Sequence, residues 1–388
     1  MRTLTETVSQ FWFNIQDTLF PYLDEVVGPL TKKQQQLTAV LEVVRIEYFI
    51  PDYRFYEGRP RKTRAAVARS FVAKMVYNMD TTRALLERLH SDKSLRRLCG
   101  WETKRSIPSE ATFSRAFAEF AETGLPQRVH EALVKKVYGE TKTIVLHNSR
   151  DSTAIEAREK PVGKEKEADA HAGVQKPQRK RGRPKKGEEP PPKELTRIER
   201  QKTMPLEQML RDLPQACDIG TKKNSKGHVE HWIGYKLHLD SADGCIPISA
   251  ILTSASVHDS QVAIPLATTT AQRVINLYDL MDAAYDAPGI LDHSKSLGHV
   301  PIVDRNPRGN KELAQELKAE SKRQKLIHME SPESIRYKER TNAERVNARL
   351  KDEFGGEMVR VRGAAKVMCH LMFGVLTLAA DQLVGMVT

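Results

Sequence analysis

Apolar positions in residues 1–140 recur at the three-to-four-residue spacing of amphipathic helices. Leu37, Val40, Leu41 and Val44 share one face of a segment starting near Thr31, and Val67, Phe71, Val72, Met75 and Val76 form a second stripe. Asp80 and Ser109 are N-cap residue types placed ahead of two more helices. Phe113, Phe117 and Phe120 stand at i, i+4 and i+7 and are predicted to be core. The period changes at Thr141. Thr143-Ile-Val-Leu146 is β-branched and apolar, which predicts a buried strand ending just before Asp151. From Trp232 onward Tyr235, Leu237 and Leu239 alternate with Lys236, His238 and Asp240. A turn at Ala242-Asp-Gly244 and a second alternation of Ile246, Ile248, Ala250 and Leu252 follow, predicting a hairpin with one buried face.

Asp259 is placed to cap a helix carrying Val262, Ile264 and Leu266. Ile275–Met281 reads as a strand ending at Asp282, after which Asp286 and Pro288 open a helix. A short strand at Val300–Val303, a long helix from about Ser334 to Phe354, a short strand at Met358–Val361 and an apolar C-terminal helix complete the pattern. Antiparallel strands thus come first, and strands alternating with helices come second. That order predicts an α+β chain: a mixed sheet flanked by helices over 141–388, preceded by an all-helical domain over 1–140.

Composition alters this picture in one place. Residues 156–205 are rich in Lys, Arg, Glu and Pro and nearly free of large apolar groups, so a disordered basic insertion is predicted. It contains Arg179-Lys-Arg-Gly-Arg-Pro-Lys-Lys186, whose Arg181 and Arg183 resemble the arginines that AT-hooks place in a narrow minor groove. A solvated charged linker is the alternative. The formal net charge of +12 favours a polyanionic partner, with nucleic acid ahead of an anionic membrane surface. Lys93, Arg96, Arg97, Lys104 and Arg105 cluster around short helix connections, which suits a helix-turn-helix-like DNA module or a plain bundle with a basic face. The four cysteines match no zinc spacing and read as free thiols in a reducing cytosol. No signal peptide is evident at Met1–Gln10, and the apolar run Leu371–Ala380 suits a buried helix rather than a membrane span.

Asp151 and Asp282 are placed at predicted strand ends and Glu344 in mid-helix, positions rigid enough for metal ligands; with fifty Asp and Glu in the chain, a cap or surface group is the alternative for each. At about 100° per residue, Tyr337, Arg340, Glu344 and Lys351 fall in a stripe roughly 60° wide. Ala343, Val346, Leu350 and Phe354 form a separate apolar stripe. A carboxylate flanked by a phenol and two cations suits a metal–phosphate site, while an isolated Arg340–Glu344 pair is what helices commonly make.

The segment Tyr337–Lys351 resembles the Tyr-x2-Arg-x3-Glu-x6-Lys (YREK) signature of bacterial insertion-sequence transposases of the DDE superfamily. Asp151-Ser-Thr153, Gly234–Leu239, Val257-His-Asp-Ser260 and Asp282-Ala-Ala-Tyr-Asp286 resemble further motifs of that family. The resemblance implies an RNase H-like catalytic fold and two Mg²⁺ or Mn²⁺ ions held by Asp151, Asp282 and Glu344. It assigns phosphate contacts to Tyr337, Arg340 and Lys351. It implies transposon inverted repeats and target DNA as partners, a homodimer on DNA, and a bacterial cytoplasmic, nucleoid-associated location without a membrane. Arg150 stands where the family commonly has a small residue, and a cation there can pair with Asp151 and compete with metal. A related nuclease, or a non-catalytic DNA-binding regulator or decayed transposase, is the alternative function. Asp279, three residues before Asp282, is expected on the opposite sheet face.

Overall fold

The structure is a computed structural model that describes residues 4–51, 63–162, 195–223, 227–305, 307 and 309–387. Arg181 and Arg183, and with them most of the expected insertion, lie outside the described residues.

The N-terminal region is helical: α1 (Leu4–Asn14), a π turn (Ile15–Leu19), α2 (Phe20–Val27), α3 (Lys32–Val44), α4 (Arg64–Val76), α5 (Thr82–Ser91), α6 (Lys93–Leu98), α7 (Glu110–Glu122) and α8 (Leu125–Thr141). Thr31 closes a capping box with Gln34 and fixes the start of α3. Thr81, not Asp80, caps α5 by accepting from the Ala84 amide, because it is the last residue with extended backbone before the helix. Ser109 stands at the N-cap of α7 without a side-chain bond to the helix backbone. The three phenylalanines of α7 are buried and gather around Phe71 of α4 and Phe373 of the C-terminal helix α16 (Ala364–Gly385). One core therefore joins the first helices to the last one. By length and apolarity α16 qualifies as a membrane-crossing helix, but most of its apolar stretch is buried inside the protein. Gly374 lets it approach the chain at Phe354, since a Cβ there would meet the Phe354 carbonyl oxygen at 2.6 Å.

Two cations of the basic cluster hold helices together. Arg96 is buried and donates to the Leu89 and His90 carbonyls at the end of α5, and Arg97 donates to the Val26 carbonyl. Both satisfy helix carbonyls that would otherwise lack partners.

The second half is a six-stranded mixed sheet: β1 (Val145–Glu156), β2 (Asp218–Lys223), β3 (Val229–Ala242), β4 (Ile246–Ser254), β5 (Asn276–Met281) and β6 (Val300–Val303). β3 pairs antiparallel with β1, β2 and β4, whereas β1, β5 and β6 run parallel. Gly234 permits the β3–β1 crossing, because a Cβ there would lie 2.1 Å from the Ile155 carbonyl oxygen. Between and around the strands lie α9 (Arg197–Gln201), α10 (Leu206–Asp212), α11 (Ala263–Ala271), α12 (Pro288–Ser296), α13 (Lys311–Ile327), α14 (Pro332–Tyr337) and α15 (Thr341–Asp352).

Several expectations change here. Regular structure resumes well before Trp232, in α9, α10 and β2, so the insertion does not extend to residue 205. Thr196 closes a capping box on α9, and Gln201 is buried with its amide on the Gln261 carbonyl. The β3–β4 hairpin has two buried faces, because helices cover both sides: His238 and Asp240 are as buried as Leu237 and Leu239. Thr143–Leu146 is not the buried strand. Ile144 and Leu146 are exposed, and β1 runs on through residue 156, so Asp151 lies within a strand instead of after one. The helix expected over 334–354 is broken by a 3-10 turn at Lys338–Arg340, and Met358–Val361 is not a strand.

Candidate active site

Strand β1 lies beside β5 with Asn148 opposite Asp279 and Ser149 opposite Leu280. Continuing that parallel register by two residues sets Asp151 next to Asp282, one strand spacing or about 4.8 Å away along the sheet. Alternation puts both on the sheet face covered by α15. There Asn347 of α15 donates to Asp151 Oδ2 at 2.9 Å, and Ser149 donates to the Glu339 carbonyl at 3.0 Å. These two bonds, with buried Val346, Leu350 and Phe354 packed on Leu237 and Leu239, fix the helix against the sheet. Asp282 ends its strand and caps the following 3-10 turn by accepting from the Ala284 amide at 2.9 Å.

Arg340 links the carboxylates. Its guanidinium lies 3.9 Å from Asp151 Oδ1 and donates to Glu344 Oε1. It also sits near the Tyr337 ring, 5.9 Å from its centroid. The 3-10 turn does not scatter this group, because Tyr337 through Thr341 keep right-handed helical backbone angles. Lys351 is placed further along β1. It borders a small polar pocket with Ala154, Glu156, His231 and Trp232. The structure thus brings together Asp151, Asp282, Tyr337, Arg340 and Glu344, and leaves Lys351 as an outlying cation. A larger cleft of about 740 Å³, bounded by Tyr138, His147 and Asp243, touches no residue of this group.

Electrostatics mark the aspartates. Burial pushes the Asp151 carboxyl up to about 6, and the Asp282 charge adds to that, against the Ser152 amide, Arg340 and Asn347. Burial also raises Asp282, with Asp259 adding to it and the Ala284 amide and Arg340 opposing. Two crowded, partly desolvated carboxylates favour a cation between them. Arg340 supplies part of that charge in this arrangement.

Arg150 does not compete for Asp151. As the next residue in a strand it points to the opposite face. It is 1% exposed and forms a two-bond pair with Asp240, itself fully buried, at 2.8 Å for each bond. Asp279 occupies that same far face, bound by Asn148, Asn276, Ser294 and His299. Asp259 is not a helix cap. His258 caps the turn instead, accepting from the Ser260 amide, and Asp259 pairs with Lys236 at 3.0 Å. Burial opposes its charge, but His238 and Lys236 hold it below the usual carboxylate range. Asp259 stands close enough to Asp282 to raise its carboxyl, and it belongs to the site's surroundings. Strand alternation assigned Lys236 to solvent, which hid this pair.

Tyr285 lies beneath the site. It is 1% exposed, and its hydroxyl has no hydrogen-bond partner among the described residues. Burial and the charges of Asp259, Asp151 and Asp282 drive its hydroxyl well above the usual phenol range.

Among the described residues, no three His, Cys, Asp or Glu side chains gather as a ready-made metal-ligand set. Asp151 and Asp282 fit a hard divalent cation in oxygen chemistry, adjacency and raised pKa. Glu344 is more than half exposed and turned to Arg340, so it is available to complete such a set once that pair opens.

The family model described as "Transposase DDE domain" matches residues 151–379, beginning at Asp151. The model described as "Transposase domain (DUF772)" matches residues 26–119, within the helical region. No curated protein and no solved structure matches the chain. The first match alone covers more than half of the sequence and takes in Asp151, Asp282 and Glu344, and the chain belongs to the transposase DDE-domain family.

Proposed function

We propose that this transposase cleaves DNA at the ends of its element and joins the freed strand to target DNA, with Asp151, Asp282 and Glu344 as its acidic triad. The observation that carries the reading is the placement of Asp151 beside Asp282 on parallel strands, with Arg340 reaching from Asp151 to Glu344. Mg²⁺ or Mn²⁺, as two ions, would supply activation of the attacking oxygen and charge stabilisation at the leaving one. The two aspartates would hold such ions, Asp151 from within β1 and Asp282 from the end of β5, and Glu344 would complete the set from α15. Tyr337 and Arg340 are placed to contact the phosphate of the cut end, and Lys351 to contact a neighbouring phosphate along β1. Cleavage followed by attack of the 3′-hydroxyl on target DNA are both in-line displacements that one site can serve.

The sheet supports an RNase H-like reading. It has antiparallel β4, β3 and β1 followed by parallel β5 and β6, with helices on both faces. The helical region over 1–140 is assigned to holding DNA, and Arg181 and Arg183 to the minor groove. A homodimer on DNA would pair the two ends. The net charge of +12 and the DNA substrate suit a nucleoid-associated, cytoplasmic protein.

The test uses a plasmid carrying the coding sequence with its natural flanks, incubated with the purified chain and Mg²⁺. Cuts are expected at inverted repeats bracketing the gene. DNA binding with no cuts would favour a regulator, and cuts independent of the repeats would favour a nuclease.

A further inference from the structure

Helix α13 (Lys311–Ile327) differs from the other long helices: none of its seventeen residues is buried. Its charges are sorted by face. At about 100° per residue, Lys311, Lys318, Lys322 and Lys325 fall within roughly 60°, and Glu312, Glu316 and Glu320 lie on the opposite side. The four lysines are exposed, and among the described residues none has an ion-pair partner. Arg323 pairs instead with Glu320 on the acidic side. Sorting of this kind stacks like charges at i, i+4, as in Glu312–Glu316–Glu320 and Lys318–Lys322. Such pairs weaken an isolated helix, whereas interleaved charges would strengthen it.

The arm is rooted at the site. The chain enters it from β6, where the Asp304 amide bonds to the Met281 carbonyl, next to Asp282. It returns through α14, capped by Ser331, directly into Tyr337 and Arg340. Lys338 ties the returning segment to Glu330 at 2.6 Å. Both ends of the arm are thus continuous with the elements that carry Asp282, Tyr337 and Arg340.

We propose that the lysine face of α13 is a DNA-docking surface that tracks the phosphate backbone of the duplex flanking the cut. From Lys311 to Lys325 it spans about 21 Å of helix axis. Duplex DNA carries a charge every ~1.7 Å, so a lysine row of that length neutralises several phosphates. The inference rests on the DNA-cutting reading, but its assay needs no cleavage, so the two can fail separately.

The test measures binding of the full chain to a fluorescein-labelled mixed-sequence duplex of about 40 bp, without divalent metal, from roughly 50 to 200 mM KCl. The Lys318→Ala/Lys322→Ala/Lys325→Ala variant is expected to reduce the magnitude of the log Kd–log salt slope by roughly 2–3 and to weaken binding at least about tenfold. Its melting temperature should stay at the wild-type value, because no buried contact is removed. A charge-matched control, Lys160→Ala/Lys295→Ala/Lys366→Ala, should keep the wild-type slope. An unchanged slope in the α13 variant, or an equal loss in the control, would overturn the proposal. So would a variant that binds DNA normally but changes oligomeric state, which would make the face a contact between protein copies.

Discussion

Asp282→Asn is expected to lower metal-dependent DNA cleavage by about a thousandfold or more, while duplex binding stays at or above the wild-type level. Loss of a metal-holding charge removes several kcal/mol from transition-state stabilisation, and each ~1.4 kcal/mol is a factor of ten in rate. The substitution separates chemistry from folding. Asn is as good a cap as Asp, so the bond from the Ala284 amide survives. Removing one of two crowded carboxylates also relieves Asp151, whose carboxyl Asp282 helps to raise. The variant should therefore melt no lower than wild type. A gel assay of strand cleavage with a parallel binding curve checks this, and cleavage within tenfold of wild type would remove Asp282 from the triad.

Arg150→Ala should have the largest effect on stability, about 3–5 kcal/mol by denaturant unfolding. It leaves Asp240 charged and buried, although Asn148 and Thr270 still donate to it. The double change Arg150→Met/Asp240→Leu should recover most of that loss, because an apolar pair of similar volume needs no compensating charge. Arg150 faces away from Asp151, so the double variant should also keep its cleavage rate within a few-fold. A loss below about 1 kcal/mol in Arg150→Ala would mean that the pair is not what ties β1 to β3.

The sequence revealed those elements whose side chains repeat with a clean period. α3, α4 and α7 bury the residues their spacing selects, Leu41 only in part, and β5 and β6 stand close to where apolar runs place them. Legibility failed where burial is polar. Lys236, His238 and Asp240 read as a solvent face, yet they lie under helices and carry ion pairs and hydrogen bonds. Arg150 read as a rival of Asp151 because adjacency in sequence hides the alternation of strand faces. α13 offers only Leu313 and Leu317 at apolar i, i+4 spacing, and neither is buried. Its signal lies in charge, with glutamates four apart on one face and lysines on the other. Of the site, Tyr337, Arg340 and Glu344 were legible through helical spacing. The Asp151–Asp282 neighbourhood depends on strand register, which no local pattern encodes, and Asp259 was missed because its partner Lys236 sits on another element.

Asp151, Asp282 and Glu344 are proposed to share a divalent cation, although Glu344 is held by Arg340 in this arrangement. The most direct test is Mn²⁺ binding, followed by electron paramagnetic resonance on the DNA-bound chain, for wild type, Asp151→Asn, Asp282→Asn and Glu344→Gln. Each substitution should weaken Mn²⁺ at least about tenfold, or roughly 1.4 kcal/mol. Wild-type affinity should hold above pH 6 and fall below it, because Asp151, with its carboxyl raised to about 6, must lose its proton to bind the ion. Wild-type affinity for Mn²⁺ in any one of the three variants would contradict the account.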